Sequence, residues 1–331
     1  MLKSIIFSVG IASSFLFLGC SSKEVFKPES VIGSWKKSSD TKRIEVSTLS
    51  AALVESRRVQ VGSVITDVTL DEGENLIGYS GGWIASSTID GNVTLYDSKN
   101  KKQEKFNLKR TVATVAVNDD KLAVLFSNNE MALYSISTKS LILKEQGDSS
   151  IVVNSKIIAP FFKDELVIFS TLDGKIVIID TESKKKLRTV IVSGEKHFNN
   201  IIFFELIDGK IVAATGNKIL SLSQKETRGS YDIRNVVSDS KNIYIATKQG
   251  EIISLSSDLT QNAKLKFPFA HFLGVIATDD KVYALEKNGY LIEMPKDLSS
   301  YGVYKASVEK DGSVYVEGKK FYSSDEVISL D

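Results

Sequence analysis

Apolar and polar residues alternate in short runs along most of the chain, and the runs come in pairs separated by a tight-turn signal. Residues 83–97 form one such unit, with a strand-like run on each side of its turn pair. Alternation is typical of half-buried strands, and these turn residues tolerate the positive φ that two-residue hairpins need. The pattern predicts hairpins around Asp90-Gly91, Asn128-Asn129, Asp173-Gly174, Gly216-Asn217, Gln249-Gly250 and Asn288-Gly289.

The hairpins recur at a regular spacing, which indicates a repeat architecture. Most are preceded by a short strand, such as residues 112–117, and followed by another, such as residues 141–144. Units of four antiparallel strands at intervals of about 38 residues describe β-propeller blades. We predict an all-β fold, a single β-propeller of four-stranded antiparallel blades, about seven in number; an eighth, degenerate blade within residues 32–80 stays open. A β-sandwich or two stacked β-domains is the alternative. The equivalent positions are Ile84, Leu122, Leu166, Ile211, Ile243, Val282 and Val314.

Closure of the ring calls for a blade that both ends of the chain complete, because a sheet edge is otherwise left open. Candidate strands are residues 43–46 and 57–61 on the N-terminal side, and residues 321–323 and 326–330 on the C-terminal side. The sequence does not decide which of them pair.

The N-terminus resembles a bacterial lipoprotein signal. Lys3 precedes an uncharged apolar stretch, residues 5–18, which is shorter than the roughly 20 residues that a membrane-spanning helix needs. Gly19 and then Cys20, the single cysteine, follow, although Phe17 stands where leucine is usual. The resemblance implies a signal peptide at residues 1–19, a lipidated flexible tether at residues 20–40 and the propeller at residues 41–331. The alternative is a buried Cys20 within an uncleaved helix.

Charge and cysteine content narrow the possible partners. The chain has 42 basic and 41 acidic residues, and removing residues 1–19 takes away Lys3, so the formal charge of +1 becomes zero. That balance predicts neither nucleic acid nor anionic lipid as a partner. With one cysteine no intramolecular disulfide can form, so stability must come from a large hydrophobic core.

Several strand ends resemble the repeat of pyrroloquinoline-quinone-like propellers, whose turn reads Asp-x-x-Ser/Thr-Gly-Lys. The matching segments are residues 96–101 and 179–185, with a looser copy at residues 134–139. Joined to a lipoprotein signal, such a propeller is similar to the BamB family, outer-membrane lipoproteins that dock on the β-barrel assembly machinery. The resemblance implies eight blades and a non-catalytic scaffold that contacts periplasmic domains of its partner. The glycine and tryptophan typical of the turn are mostly missing here, and no partner-binding motif can be transferred.

Candidate catalytic chemistry is sparse. His197 and His271 lie in predicted loops without the neighbouring ligands that a metal site needs. Quinone enzymes of this fold typically stack the cofactor on a tryptophan, often against a vicinal disulfide; this chain has Trp35, Trp83 and one cysteine. We therefore predict no enzymatic activity, no cofactor and no metal, with a quinone-dependent enzyme as a remote alternative.

Two segments are candidates for partner binding. Phe267, Phe269 and Phe272 fall in a predicted connection between blades, where they form either an exposed patch or a plug between blades. Lys184, Lys185 and Arg188 fall at a blade turn that corresponds to the turn with Lys99, Lys101 and Lys102. These basic residues either steer an acidic partner or are solvated turn residues.

These features predict a lipid-anchored scaffold that mediates protein–protein interactions on the periplasmic side of the outer membrane. The BamB resemblance implies a role in outer-membrane protein assembly, and Ser21 after the cysteine resembles the outer-membrane sorting default. The alternative is a structural or adaptor lipoprotein of another envelope machine, for motility or secretion.

Overall fold

Eight antiparallel sheets follow one another along the chain, as the all-β propeller prediction requires. The structure is a computed structural model that describes residues 24–38, 41–150, 152–309 and 312–330. Within these residues there is one short 3₁₀ turn, Glu55–Arg57, and no helix long and apolar enough to cross a membrane. Each sheet is one blade, and the first strand of each blade is the innermost.

The strands are, in chain order, β1 (Gly33–Ser34); in blade 1, β2 (Ile44–Ser47), β3 (Ala52–Val54), β4 (Arg58–Val61) and β5 (Val64–Thr69); in blade 2, β6 (Asn75–Ser80), β7 (Trp83–Ser87), β8 (Asn92–Asp97) and β9 (Gln103–Asn107); in blade 3, β10 (Val112–Asn118), β11 (Lys121–Phe126), β12 (Glu130–Ser135) and β13 (Leu141–Gln146); in blade 4, β14 (Phe161–Lys163), β15 (Leu166–Ser170), β16 (Lys175–Asp180) and β17 (Lys185–Ile191); in blade 5, β18 (Phe203–Ile207), β19 (Lys210–Ala214), β20 (Lys218–Leu222) and β21 (Glu226–Ser230); in blade 6, β22 (Ile233–Ser238), β23 (Asn242–Thr247), β24 (Glu251–Ser256) and β25 (Gln261–Lys266); in blade 7, β26 (Phe272–Ala277), β27 (Lys281–Glu286), β28 (Tyr290–Pro295) and β29 (Gly302–Lys305); and in blade 8, β30 (Val314–Glu317), β31 (Lys320–Ser323) and β32 (Glu326–Ser329).

The hydrophobic core lies between the blades. Second and third strands are buried on both faces, as in β11, so their apolar side chains pack against the blades on either side. Leu95 of blade 2 and Val124 of blade 3 share one cluster, and Val212 of blade 5 and Ile245 of blade 6 share another. Outer strands are more exposed, and in β9 and β25 most exposed residues alternate with partly covered ones.

The predicted hairpin turns are confirmed, and five of the six have a positive φ at the second residue. Gly91 is the clearest case, since its φ is 82° and a Cβ there would lie 2.2 Å from the carbonyl oxygen of Arg110. The sixth turn, Gly216-Asn217, does without positive φ. There the hydroxyl of Thr215 accepts a hydrogen bond from the backbone N–H of Lys218, at 3.2 Å, and stabilises the turn instead.

The blade count is eight, and the degenerate blade left open within residues 32–80 is blade 1. The position taken as equivalent at Val314 was wrong by one strand. Val314 lies in β30, the innermost strand of blade 8, whereas its counterparts lie in second strands. The reason is that residues 314–317 pair with residues 320–323 through a tight turn at Gly318-Lys319, so the copy starts one strand earlier.

Blade 8 closes the ring. Its β30 contacts β26 on one side and β2 on the other, and Ser47 Oγ donates to the carbonyl oxygen of Val314 at 3.1 Å. The predicted C-terminal candidates are β31 and β32, but neither N-terminal candidate pairs with them. Ser38 takes the place of a fourth strand instead, with two backbone hydrogen bonds to Val327 of 2.8 and 3.0 Å.

Residues 24–38 contact blades 7 and 8, and we call this segment the N-terminal clasp. Phe26 is buried, with its ring edge-on to those of Phe267 and Tyr290 at 6.1 and 5.7 Å between centroids. β1 pairs in parallel with β29, and Trp35 Nε1 donates to the carbonyl oxygen of Ser329 at 2.9 Å. The domain boundary at residue 41 stays a prediction, but this part of the predicted flexible tether packs on the propeller. Cys20 and the signal peptide lie outside the described residues.

Candidate interaction surfaces

The predicted basic residues lie on the outer edge of blade 4. Lys184 occupies the turn before β17 with a φ of 55°, and Lys185 and Arg188 lie on that strand. The carboxylate of Asp180 accepts backbone hydrogen bonds from Ser183 and Glu182, at 2.8 and 2.9 Å, which fix the turn. The same hydrogen bonds lower the pKa of Asp180, so the turn keeps its geometry with the carboxylate ionised.

This edge, with Leu187 and Ile191 included, is called the basic edge. Leu187 and Ile191 are both about half exposed, and the long strand β17 is exposed along nearly its whole length. Lys186 forms an ion pair with Glu145 at 2.7 Å, whereas no ion pair of Lys184, Lys185 or Arg188 is found within the described ranges. A mixture of unpaired cations and exposed aliphatic side chains suits an acidic protein partner.

The second lysine run lies on the same rim. Lys99, Lys101 and Lys102 follow β8, at the turn between third and fourth strands, as Lys184 does in blade 4. Lys101 and Lys102 also line a groove of about 790 Å³ beside blade 1, whose apolar side is formed by Val64, Ile65 and Val68 together with Tyr79 and Tyr96. No sequence pattern indicated this groove, because its two sides come from different blades.

The three predicted aromatic residues separate into buried and exposed ones. Phe267 and Phe272 are buried between blades 6 and 7, with ring centroids 6.1 Å apart, so for them the plug alternative describes the structure. Phe269 is 56% exposed. It is one wall of a cleft of about 820 Å³, here called the aromatic cleft, which Val25, Phe26, Phe267 and Tyr301 also line. Sequence reasoning missed Val25, Phe26 and Tyr301.

The centre of the ring is narrowed by the connection between blades 3 and 4. A cavity of about 340 Å³ is lined by residues of the innermost strands β6, β10 and β18 and by residues 157–160 of that connection. Asn200 holds the connection in place, since its Oδ1 accepts from the backbone N–H of Asn154 at 2.6 Å and its Nδ2 donates to the carbonyl oxygen of Lys156 at 2.7 Å.

Lys156 of the same connection makes an unusual contact with blade 6. Its ammonium donates to the carbonyl oxygen of Arg234, at 3.1 Å, and to the side chain of Asn235. Burial and then the positive charge of Arg234 lower the pKa of Lys156 to about 8. The guanidinium of Arg234 lies 2.8 Å from Nε2 of His271. Nothing in the sequence pattern indicated this cluster.

The remaining candidates for chemistry lie apart from one another. His197 is exposed in the connection between blades 4 and 5. Trp35 packs edge-on against Tyr283 and Tyr304, and Trp83 packs beside the cluster between blades 2 and 3. Among the described residues, no group of three or more histidine, cysteine or carboxylate side chains is arranged to hold a metal ion.

Comparison with known proteins gives both a family and a fold. The family of "Outer membrane protein assembly factor BamB" matches residues 35–297. Among solved structures, BamB from Moraxella catarrhalis superposes with a TM-score of 0.67 at 12% identity, over 90% of this chain and 99% of that one. The C-terminal WD40 domain of Sif2 gives 0.66 at 11% identity, over 91% of this chain and 100% of that one. At such identities the structural matches show the fold alone.

Two curated relatives are more similar in sequence. The plasminogen-binding protein PgbB of Helicobacter pylori strain J99 is 32% identical over 215 residues, which is 64% of this chain and 38% of that protein. PgbB of strain 26695 is 31% identical over the same shares. The match thus spans well under half the length of these relatives.

Proposed function

The chain belongs to the family of outer membrane protein assembly factor BamB, and from that membership we propose that it is a non-enzymatic scaffold that binds protein partners in the cell envelope. The basic edge is the observation that carries this proposal. In the described structure, this edge has three cationic side chains that form no ion pair and two exposed aliphatic side chains. It lies at the surface, outside the hydrophobic core between the blades. An acidic protein surface is the partner that such an edge fits.

We propose further that the protein is lipid-anchored through Cys20 on the periplasmic side of the outer membrane, and that its partners are components of outer-membrane protein assembly. The sequence around Cys20 supports the anchor, and family membership supports the assembly role. Two or more acyl chains give stable membrane attachment. Cys20→Ala is therefore expected to move the protein into the soluble fraction. A variant that stays with the membranes contradicts the anchor.

Affinity capture from solubilised membranes tests the partner. Recovery of barrel-assembly components is expected, whereas recovery of motility or secretion components supports an adaptor role in another envelope machine. The triple variant Lys184→Glu, Lys185→Glu and Arg188→Glu is expected to lose the partner. A matched triple, Lys109→Glu, Lys196→Glu and Lys248→Glu, makes the same change in net charge in the connections of the opposite rim and is expected to keep it. Equal losses in both triples contradict a specific role for the basic edge.

Plasminogen binding is a second candidate, because both curated relatives are named for it. The aligned region is 38% of each relative, so their names do not assign plasminogen binding to the shared part. Immobilised plasminogen distinguishes the candidates. Saturable binding by the purified chain supports the second candidate, and absence of binding with retained capture of assembly components supports the first.

A further inference from the structure

The aromatic cleft presents apolar side chains to solvent, next to the chain end that carries the proposed anchor. Phe269 is 56% exposed, Tyr301 48% and Val25 42%. Phe26 between them is buried, and its contacts with Phe267 and Tyr290 fix the N-terminal clasp on this side of blades 6 and 7. An exposed apolar cluster of this kind marks a contact surface.

Chain length limits how far this cleft can lie from the membrane. Cys20 precedes Glu24, the first residue of the clasp, by four residues, and four residues of fully extended chain span at most about 14 Å. The headgroup regions make a bilayer roughly 10–15 Å thicker than its hydrocarbon core. Whatever path residues 20–24 take, acyl chains on Cys20 hold the cleft close to the bilayer surface.

The backbone at Phe269 does not account for an aromatic side chain there. Its φ is 63°, a left-handed conformation that is unfavourable for a bulky residue. In the corresponding connection between blades 2 and 3 the left-handed residue is Lys109, with a φ of 57°. Because a lysine can occupy such a left-handed position, the backbone conformation does not require the exposed aromatic ring of Phe269.

The charges around the cleft indicate which surface it fits. Lys27 and Lys266 line it together with Glu24 and Glu29, so the formal charges cancel. Such a surface has no net attraction for an acidic protein, unlike the basic edge. A tyrosine side chain has an apolar ring and a polar hydroxyl group, so a residue such as Tyr301 is favoured at a membrane–water interface.

We propose that the aromatic cleft rests on the lipid headgroup region of the membrane that holds the anchor, with Phe269 and Val25 entering it. The proposal rests on the proposed lipid attachment at Cys20. It gives the propeller a defined orientation, because the clasp fixes blades 6 and 7 toward the bilayer and leaves blades 2 and 3 on the far side of the ring.

A fluorophore at the cleft tests this orientation. Phe269→Cys carrying an environment-sensitive dye, in the full lipidated chain in phosphatidylcholine vesicles, is expected to shift to the blue and to be quenched by headgroup-labelled lipids. Ile89→Cys, 74% exposed in the turn between β7 and β8, is the matched control and is expected to do neither.

A second site keeps the test independent of the Phe269 side chain. Lys266→Cys reports from the same cleft with the ring intact. Adding Phe269→Asn, which tolerates the left-handed backbone, is expected to reduce the Lys266→Cys shift, whereas adding Ile89→Asn is not.

Failure of the anchor and failure of the membrane contact give different results. The unsubstituted chain has Cys20 as its single thiol, so a thiol reagent that labels it shows that the anchor is absent. If the chain is anchored but the labels at residues 266 and 269 stay as solvated as the label at residue 89, the proposed membrane contact is refuted. A shift that needs an added envelope protein also overturns it, because that result assigns the cleft to a protein. Vesicles with equal parts of phosphatidylglycerol are expected to give the same shift, and a requirement for anionic lipid contradicts the charge balance.

Discussion

The stability of the propeller in mildly alkaline solution is expected to depend on Lys156. Burial and the neighbouring Arg234 lower its pKa to about 8 in the folded protein, whereas a lysine in an unfolded chain has a pKa of about 10.4. Between about pH 8 and about pH 10.4, the Lys156 side chain is therefore more fully protonated in the unfolded chain than in the folded protein. Stability rises with pH wherever the unfolded state binds more protons. The destabilisation caused by burying the charged Lys156 side chain therefore decreases as the pH rises above about 8.

The size of the effect follows from the two pKa values. Between about pH 7 and about pH 9 the folded protein loses most of this proton, and the unfolded chain keeps it. Each pH unit contributes about 1.4 kcal/mol times the difference in bound protons. Summed over this window, the Lys156 contribution to the free energy of unfolding rises by about 1 kcal/mol.

Lys156→Met removes the titrating group and is expected to remove this rise. Urea unfolding followed by tryptophan fluorescence at the two pH values gives the change for each protein. The variant also loses the hydrogen bonds to Arg234 and Asn235, which lowers its stability at both pH values, so the pH dependence is the diagnostic quantity. Lys196→Met, at an exposed lysine, is expected to keep the wild-type dependence. Parallel pH dependences for wild type and Lys156→Met would refute the assignment.

Three further substitutions test the packing described above, each by urea unfolding. Phe26→Ala removes the ring between Phe267 and Tyr290 and is expected to cost about 3 kcal/mol, whereas Val25→Ala is expected to cost under about 0.5 kcal/mol; equal small effects contradict the docked clasp. Gly91→Ala places a Cβ against a backbone carbonyl at positive φ and is expected to cost about 2 kcal/mol or more, while Gly194→Ala has open space and is expected to be nearly neutral. At neutral pH, Asp173→Asn is expected to lower the free energy of unfolding by roughly 1–3 kcal/mol. Burial alone would raise the pKa of Asp173, but hydrogen bonds from Lys175, Thr171 and Asn129 outweigh burial and lower it. That stability is present above the ordinary pKa of about 3.9 and is lost as pH falls through the lower folded value, so a cost that persists in acid contradicts the reasoning.

The sequence predicts most of the fold because each blade carries its own local signals. A turn pair with positive φ between two alternating runs can be found without knowledge of the rest of the chain. Blade 1 was predicted only as an open possibility because it lacks such a local signal. Its second and third strands are joined through Ser56 and Arg57, which adopt φ values of 65° and 57° without a glycine or asparagine to signal the turn. Blade 8 was misaligned because, within the described residues, it consists of three strands and one bridge.

The candidate surfaces were predictable only in part. Charge and turn position placed Lys184 and Lys185 in solvent, because a lysine beside a tight turn has little to pack against. Which aromatic residue of the connection between blades 6 and 7 stays exposed was not predictable. Phe267 is covered by Phe26, which lies more than two hundred residues earlier in the chain, and no local pattern reports such a contact.

The clasp also determines how the molecule bears mechanical load. For a protein tethered at Cys20, any pull on the membrane side reaches first the ring of Phe26, then the β1–β29 pair, and last the bridge from Ser38 to Val327. The contacts of the clasp with blades 7 and 8 are thus in series with such a tether along residues 24–38. Sustained tension would detach the clasp from blades 7 and 8 before it reached β2 of blade 1.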